Sequence, residues 1–395
     1  MNFLCISNEF KGQDFLTFCK KEGNNVFLVT SKEHENDAWP REAIDEMFFM
    51  EKDDKDNWSL EDLVLGTAYL MRSKKIDRIV ALDDFDVEKA AHLREVFRIP
   101  GMGETTHRYF RDKLAMRVKA AEEGINVPGF SGLFNDEAVN EFIRTVPAPW
   151  VVKPRGKASA SGIKKVHSGE ELWQVIHSLG EERHLFLVEQ FAPGDVFHTD
   201  AICVDGKPVF CRVSQYLNTP LEVAHGGGVF RSCTVEFGSD LDKKLQKLTA
   251  EVMKAFGMQF SASHTEFIRS AETGEFYFLE TSSRVGGAHL AEMVEASSGI
   301  NLWGEWARLE TAEAKGIKYK LPKVRNDYAG ILVSLSRYAH PDSSSFTAPE
   351  ICWRLNKEYH IGMILKSNDR QRILGILDDY AHKVFNDFHA SAPAD

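Results

Sequence analysis

Residues 264–284, HTEFIRSAETGEFYFLETSSR, form two apolar-rich runs on either side of the turn Glu272-Thr273-Gly274. With Ala271 opposite Glu275, an antiparallel hairpin places Ile268 opposite Phe278 and Glu266 opposite Glu280. Directly opposed side chains share one face of a sheet, with Cβ atoms roughly 4.5–5.5 Å apart. Carboxylates at that spacing repel unless a proton or a cation lies between them. A solvated face is the plain alternative. Phe267, Phe276, Phe278 and Leu279 weigh against it, because they put apolar groups on both faces of the hairpin. The pair is therefore a candidate divalent-cation site. All-oxygen donors select magnesium or manganese over zinc.

Three other segments carry groups suited to a phosphorylated ligand. In WVVKPRGKASASG, residues 150–162, a short apolar strand delivers Lys153 and Pro154 ends it. Small residues follow, among them Ser159, Ser161 and Gly162, which let backbone N–H groups approach phosphate oxygens. This is not a Walker A loop, which needs G-x-x-x-x-G-K-[ST]. In VEQFAPGDVFHTD, residues 188–200, an apolar strand ends in Glu189-Gln190-Phe191 before a Pro-Gly turn. Lys113 stands on the first turn of a helix over residues 111–123. A lone lysine there is ordinarily a solvated charge.

These groups need elements to hold them. Residues 2–7, 26–29 and 76–82 read as buried strands alternating with helices over residues 13–22 and 87–97, a pattern that predicts a parallel sheet covered by helices. The first strand runs into Asn8-Glu9-Phe10-Lys11-Gly12, with no G-x-G-x-x-G, so this Rossmann-like unit is not assigned a dinucleotide. From Trp150 the pattern turns strand-rich. Strands over residues 185–188, 199–204 and 208–213 are expected, the last two joined by the hairpin turn Asp205-Gly206. Helices are expected over residues 241–256 and 370–388. The fold class is α/β, with an α+β portion after the N-terminal unit.

Bulk properties narrow the function. At 395 residues, two to three structural units are expected. A net charge of −11 disfavours nucleic acid as a partner. The six cysteines form no CxxC pair and read as reduced, mostly buried thiols of a cytoplasmic protein. Neither a signal peptide nor a membrane-spanning stretch is expected.

The order of the motifs resembles the ATP-grasp superfamily over residues 109–299. In that family a helix lysine comes first, then a strand lysine with a small-residue lid loop. An E-x-F/Y/L hinge follows, and then a metal glutamate and an E-x-N-x-R segment. Lys113, Lys153, residues 156–162, Glu189-Gln190-Phe191, Glu266 and Glu280-Thr281-Ser282-Ser283-Arg284 occupy those places here. The resemblance implies a Rossmann-like domain (1–108), a small lid subdomain (109–187), a large subdomain with the metal site (188–320) and C-terminal strands and helix (321–395). It implies that Lys113 and Lys153 contact ATP phosphates under a lid containing Ser159, Ser161 and Gly162. The backbone around Glu189, Gln190 and Phe191 would hold adenine. Glu266 and Glu280 would bind one or two Mg2+ (or Mn2+) ions, with Ser282 in the family's Asn place. Arg284 would steady a carboxylate and its acyl phosphate. The family's ribose glutamate falls at Val196, with Asp195 as its expected substitute and His198 as the second candidate.

Two glycine-bearing stretches are candidates for the acceptor site. One is EVAHGGGVFR, residues 222–231, with His225, Gly227 and Arg231. The other is VGGAH, residues 285–289, with Gly287 and His289. The expected activity is ATP-dependent coupling of a small carboxylic acid, such as an amino acid, to an amine, with small molecules as partners and a homodimer as an assembly that the resemblance allows. A biotin-carboxylase-like enzyme that activates bicarbonate and a non-catalytic ATP-binding module stand as alternatives.

Overall fold

Short apolar runs punctuated by glycine and asparagine become the strands of the N-terminal sheet. The structure, a computed structural model, describes residues 1–54, 56–157, 162–219, 223 and 227–390. Strands β1 (Asn2–Ser7), β2 (Asn25–Ser31), β3 (Glu46–Met50) and β4 (Arg78–Ala81) pair in parallel in the order β3-β2-β1-β4. Helices α1 (Gln13–Lys21), α2 (Leu60–Met71) and α3 (Val87–Phe97) connect or flank them. β3 was not expected, because its EMFFM run sits at the sheet edge, half-buried and without a clean alternation. Leu4, Ile6 and Phe27 pack with Leu63 of α2 and Leu93 of α3. Phe3, Cys5 and Leu28 pack on the other side with Phe15 of α1. Burial on both faces explains why these strands read as continuous apolar runs.

A second unit carries an antiparallel sheet in the order β5-β8-β6-β7, formed by β5 (Phe130–Gly132), β6 (Trp150–Pro154), β7 (Lys164–Val166) and β8 (Phe186–Gln190). Helix α4 (Lys113–Glu122) precedes it, and α5 (Asp136–Thr145) and α6 (Gly169–Leu179) pack on it through Phe142, Leu172 and Ile176. Side-chain caps set the helix starts. Asn135 accepts the Ala138 N–H, and Ser168 accepts that of Glu171.

The third unit is one eight-stranded antiparallel sheet in the order β13-β12-β9-β10-β11-β14-β16-β15. Its strands are β9 (Gly194–Val204), β10 (Lys207–Tyr216), β11 (Phe230–Thr234), β12 (Phe260–Ser270), β13 (Phe276–Ser282), β14 (Tyr328–Leu335), β15 (Ile351–Arg354) and β16 (His360–Ser367). Asp205 and Gly206 join β9 to β10 with φ of 48° and 72°, as a primed hairpin turn requires. Helices α7 (Asp240–Ala255), α8 (Leu290–Ser298), α9 (Leu302–Ala314) and α10 (Arg370–Asp387) complete the unit. β11 pairs with β14, Ser232 opposite Ile331, so the residues after 320 extend the same sheet. No helix among the described residues is long and apolar enough to cross a membrane.

The N-terminal sheet is tied to the large unit by α9. Leu302, Trp306 and Leu309 join the core around Phe3 and Cys5. Beside them Arg78 at the start of β4 donates to Glu310 of α9, with Nε 2.8 Å from Oε2, and both side chains are buried. Removing one partner strands a buried charge, at a cost of about 3–5 kcal/mol. Glu310→Ala is expected to destabilise the protein by that order in urea unfolding. Adding Arg78→Met should restore part of the loss. Equal stability of Glu310→Ala and the native chain would contradict this.

Candidate functional site

Helix α4 opens with Asp112 as its cap, accepting the N–H groups of Leu114 (2.9 Å) and Ala115 (3.3 Å). That cap is also braced by Arg155, whose Nε is 3.0 Å from Oδ1. Lys113 follows at the first helical position, with its Nζ 2.7 Å from Glu280 Oε2 and 2.8 Å from the Lys157 carbonyl. One turn later, on the same helix face, Arg117 is fully buried and donates through Nε to Glu189 Oε2 at 2.9 Å. The other Glu189 oxygen takes Lys153 Nζ at 2.5 Å. Val151 lies opposite Glu189 in the β6–β8 ladder, so Lys153 shares the Glu189 face, two residues along.

On the same cavity, next to Lys113, stand the paired glutamates. Glu266 of β12 is directly opposite Glu280 of β13, as expected. The rest of the expected register needs correction. Ile268 is opposite Tyr277, not Phe278, because a bulge at Leu279 lies between the Phe267–Phe278 and Glu266–Glu280 pairs. The bulge turns the Leu279 carbonyl to Arg117, which donates to it through Nη1. Tyr216 donates its hydroxyl to Glu266 Oε1 at 2.8 Å, and His264 Nε2 is 3.5 Å from the same oxygen. Glu266 Oε2 and Glu280 Oε1 have no partner among the described residues. Two uncommitted hard oxygens on opposed strands, at one cavity wall, fit a divalent cation. Ser282 follows Glu280 on the same face.

Lys113, Lys153, Glu189, Gln190, Phe191, Glu266, Glu280, Ser282, Arg284 and Gly287 all line this one cavity of about 590 Å³. That volume lies within the range of small-ligand sites, roughly 300–1,000 Å³. The Gln190 and Phe191 N–H groups are already used, donating to Gly129 (2.8 Å) and Pro149 (3.0 Å). Burial pulls the Lys153 pKa down, Glu189 opposes, and Arg117 and Lys113 add to the fall, leaving it at about 8. Burial would raise Glu280, but Lys113, Lys153 and Arg117 outweigh it and hold the carboxyl well below its ordinary value.

Other expected residues lie elsewhere. Asp195 is off the cavity. Alternation along β9 sends Val196 to the cavity wall and Asp195 to the far face, half-exposed and paired with Arg269 at 2.6 Å. Arg231 and Gly227 line a separate cavity of about 270 Å³ against α10, where Arg231 Nη1 pairs with Asp378 at 2.5 Å. His289 turns away, bonded to Glu292 at 2.9 Å with its ring 4.8 Å from that of Trp353. Gly162 (φ 71°) does not line the cavity either, and a Cβ there would press on Pro154. Ser159, Ser161 and His225 lie outside the described residues.

Sequence reasoning passed over Arg117, Tyr216, His264 and Asp84. Two of them had a signal. Arg117 is one helical turn from Lys113, and His264 is two residues before Glu266 on the same strand face. His264 Nδ1 is 2.8 Å from Asp200 Oδ1, and His198 Nδ1 is 2.8 Å from Asp200 Oδ2. Burial alone would strip His264 of its proton, but Asp200 and Glu266 outweigh it and push its pKa up to about 10.

No family model matches the chain. It is similar to an L-arginine-specific L-amino acid ligase of Bacillus subtilis, 27% identical over 251 residues, 61% of this chain and 60% of that protein. It is also similar to a D-alanine–D-alanine ligase B of Chromobacterium violaceum, 22% identical over 204 residues, 51% of this chain and 66% of that one. The aligned stretch thus spans about three-fifths of the length of the Bacillus subtilis relative. Among solved structures, an L-amino acid ligase from Bacillus licheniformis superposes with a TM-score of 0.76 at 16% identity, covering 98% of both chains. A phosphoribosylglycinamide synthetase from Anaerococcus prevotii gives 0.69 at 16% identity, again over 98% of both. A biotin carboxylase domain dimer from Hydrogenobacter thermophilus, in complex with MgADP, ADP and bicarbonate, gives 0.70 at 15% identity, over 98% of this chain and 90% of that one. These likenesses are of fold.

The folded pKa of His264 lies above the usual unfolded value near 6.5. Its contribution to stability is therefore full below about pH 6.5 and lost as pH rises through about 10. In the metal-free protein the His264 Cε1 resonance is expected to stay at its protonated position between about pH 6 and pH 9. Asp200→Asn should bring the titration into that window. A native resonance titrating near pH 6.5 would contradict this.

Proposed function

We propose, on the premise that this chain has the ATP-grasp fold, that it is an ATP-dependent ligase joining a small carboxylic acid to an amine. One observation carries the reading: Lys113 and Lys153, the latter braced by the buried Arg117–Glu189 pair, line the same cavity as the opposed Glu266 and Glu280, with Lys113 reaching Glu280 directly. The lysines would draw a triphosphate, and the hard carboxylate oxygens would hold the metal that accompanies it.

A carboxylate does not react with an amine at useful rates, because oxide is a poor leaving group. In the reading proposed here a carboxylate oxygen forms a bond to the γ-phosphorus of ATP as the bond to ADP breaks. The amine nitrogen then forms the C–N bond and phosphate leaves, taking up the proton the amine gives off. The protein's contribution is positioning and charge neutralisation. Lys113 and Lys153 draw the phosphates to the cavity. Arg117 holds Glu189 against Lys153 and fixes where that ammonium stands. Tyr216 and His264 orient Glu266. Arg284 meets the carboxylate substrate. Glu266 and Glu280, with Ser282 beside them, would hold one or two Mg2+ ions, which would supply charge neutralisation for phosphoryl transfer.

The specific substrates are those of a small-acid ligase, with an amino acid as the preferred acid, by analogy with the Bacillus subtilis relative. A homodimer is the proposed assembly, by analogy with the Hydrogenobacter thermophilus neighbour. Six free thiols suit a reducing, cytoplasmic setting.

ADP and phosphate release, measured over a panel of amino acids and bicarbonate with MgATP, tests the reading. Release that depends on an amino acid is expected. Release driven by bicarbonate alone, or by no acid, would overturn it. Glu280→Gln and Lys153→Met should each lower turnover by about 10²–10³. MgATP affinity should fall as pH rises through about 8, where Lys153 loses its charge. Lys153→Arg, which keeps its charge, should flatten that dependence.

A further inference from the structure

The turn after β4 carries three acids, Asp83, Asp84 and Asp86, all buried. Two of them have both oxygens engaged. Asp83 accepts the Phe85 N–H at Oδ1 (3.1 Å) and pairs with Lys11 at Oδ2. Asp86 accepts the Asn8 N–H at Oδ2 (2.7 Å) and faces Lys89 at Oδ1 (3.5 Å). Asp84 differs. Its Oδ2 accepts from Arg284 Nη2, while its Oδ1 is buried with no partner among the described residues. The residue is 8% exposed and lines the central cavity. Arg284 is left incomplete in the same way. Nη1 donates to the Val285 carbonyl at 2.7 Å and Nη2 to Asp84, but its buried Nε donates to no described residue.

A buried polar atom without a partner costs about 1–3 kcal/mol, so an unpaired carboxylate oxygen on a residue that lines a ligand cavity points to a group that arrives with the ligand. Here a free acceptor and a free donor remain on one anion–cation pair at the wall of a ligand cavity. Burial would raise the Asp84 pKa, but Arg284 and Arg111 outweigh burial and the nearby Glu280 and keep it lowered, so the free oxygen carries charge. A ligand that completes the pair must offer a cation to Asp84 and an anion to Arg284, on atoms close together. An α-amino acid has that arrangement, with ammonium and carboxylate on one carbon.

We infer that Asp84 binds the ammonium group of the acid substrate, beside the carboxylate held by Arg284, and so restricts that substrate to α-amino acids. The inference rests on the ligase reading and narrows it. A simple carboxylic acid or bicarbonate leaves Asp84 Oδ1 buried and unpaired, and is rejected for that reason.

The test compares each L-amino acid with its 2-hydroxy counterpart, L-alanine with L-lactate for instance, by ADP release from MgATP with glycinamide, an amine that has no free carboxylate, at the same concentration in both arms. The native enzyme is expected to prefer the amino acid by roughly 100-fold or more in kcat/KM. Asp84→Asn should raise KM for the amino acid by a similar factor and erase most of the preference, and Asp84→Glu should recover part of it. MgATP binding to the variants checks that they are folded. If Asp84→Asn does not fold, the native comparison decides alone. Equal use of amino and hydroxy acids overturns the inference, as does Asp84→Asn with unchanged KM and preference. ADP release with non-amino carboxylates only overturns it and leaves an ATP-dependent ligase standing. No release with any acid overturns both.

Discussion

Glu266 and Glu280 sit side by side on neighbouring strands, and like charges so placed push a sheet apart. Much of the surrounding structure answers that repulsion. Lys113 is brought from the start of a helix to one carboxylate, and the Tyr216 hydroxyl from β10 to the other. Protonated His264, held by the buried Asp200, adds positive charge beside Glu266. Among the described residues each glutamate keeps an oxygen uncommitted, so the repulsion is offset without closing the site to a cation.

The same residues couple the two sheets that wall the cavity. Arg117, with no exposed surface, binds Glu189 of the small sheet and the Leu279 carbonyl of the large one. The bulge that frees that carbonyl also keeps Glu280 in step with Glu266. One backbone irregularity thus serves both the carboxylate pair and the cation that faces it. A straight hairpin would leave Arg117 without its second acceptor.

Several features were legible in the amino-acid order. The N-terminal strands appear as unbroken apolar runs because both sheet faces are covered. The Asp205-Gly206 turn shows itself because few residue pairs tolerate two positive φ angles. A count across a short turn reaches the Glu266–Glu280 pairing, although the strands pair one residue off that count and the bulge at Leu279 makes up the difference; the motif order carries the fold. The errors have equally physical sources. Asp195 was chosen for being next to Val196, yet neighbours on a strand face opposite ways. Arg231 was grouped with the site from its glycine-rich surroundings, but its partner is Asp378 of a helix 147 residues away.

Local order therefore determined the strands, the turns and the two glutamates, since these depend on side-chain alternation and backbone freedom over a few residues. Tertiary structure alone decided what completes the site. The Arg284–Asp84 pair spans 200 residues and Arg117–Leu279 spans 162. Whether such groups meet depends on how three sheets pack. Their charge states depend on the burial that packing imposes, and neither is encoded in any short stretch of chain.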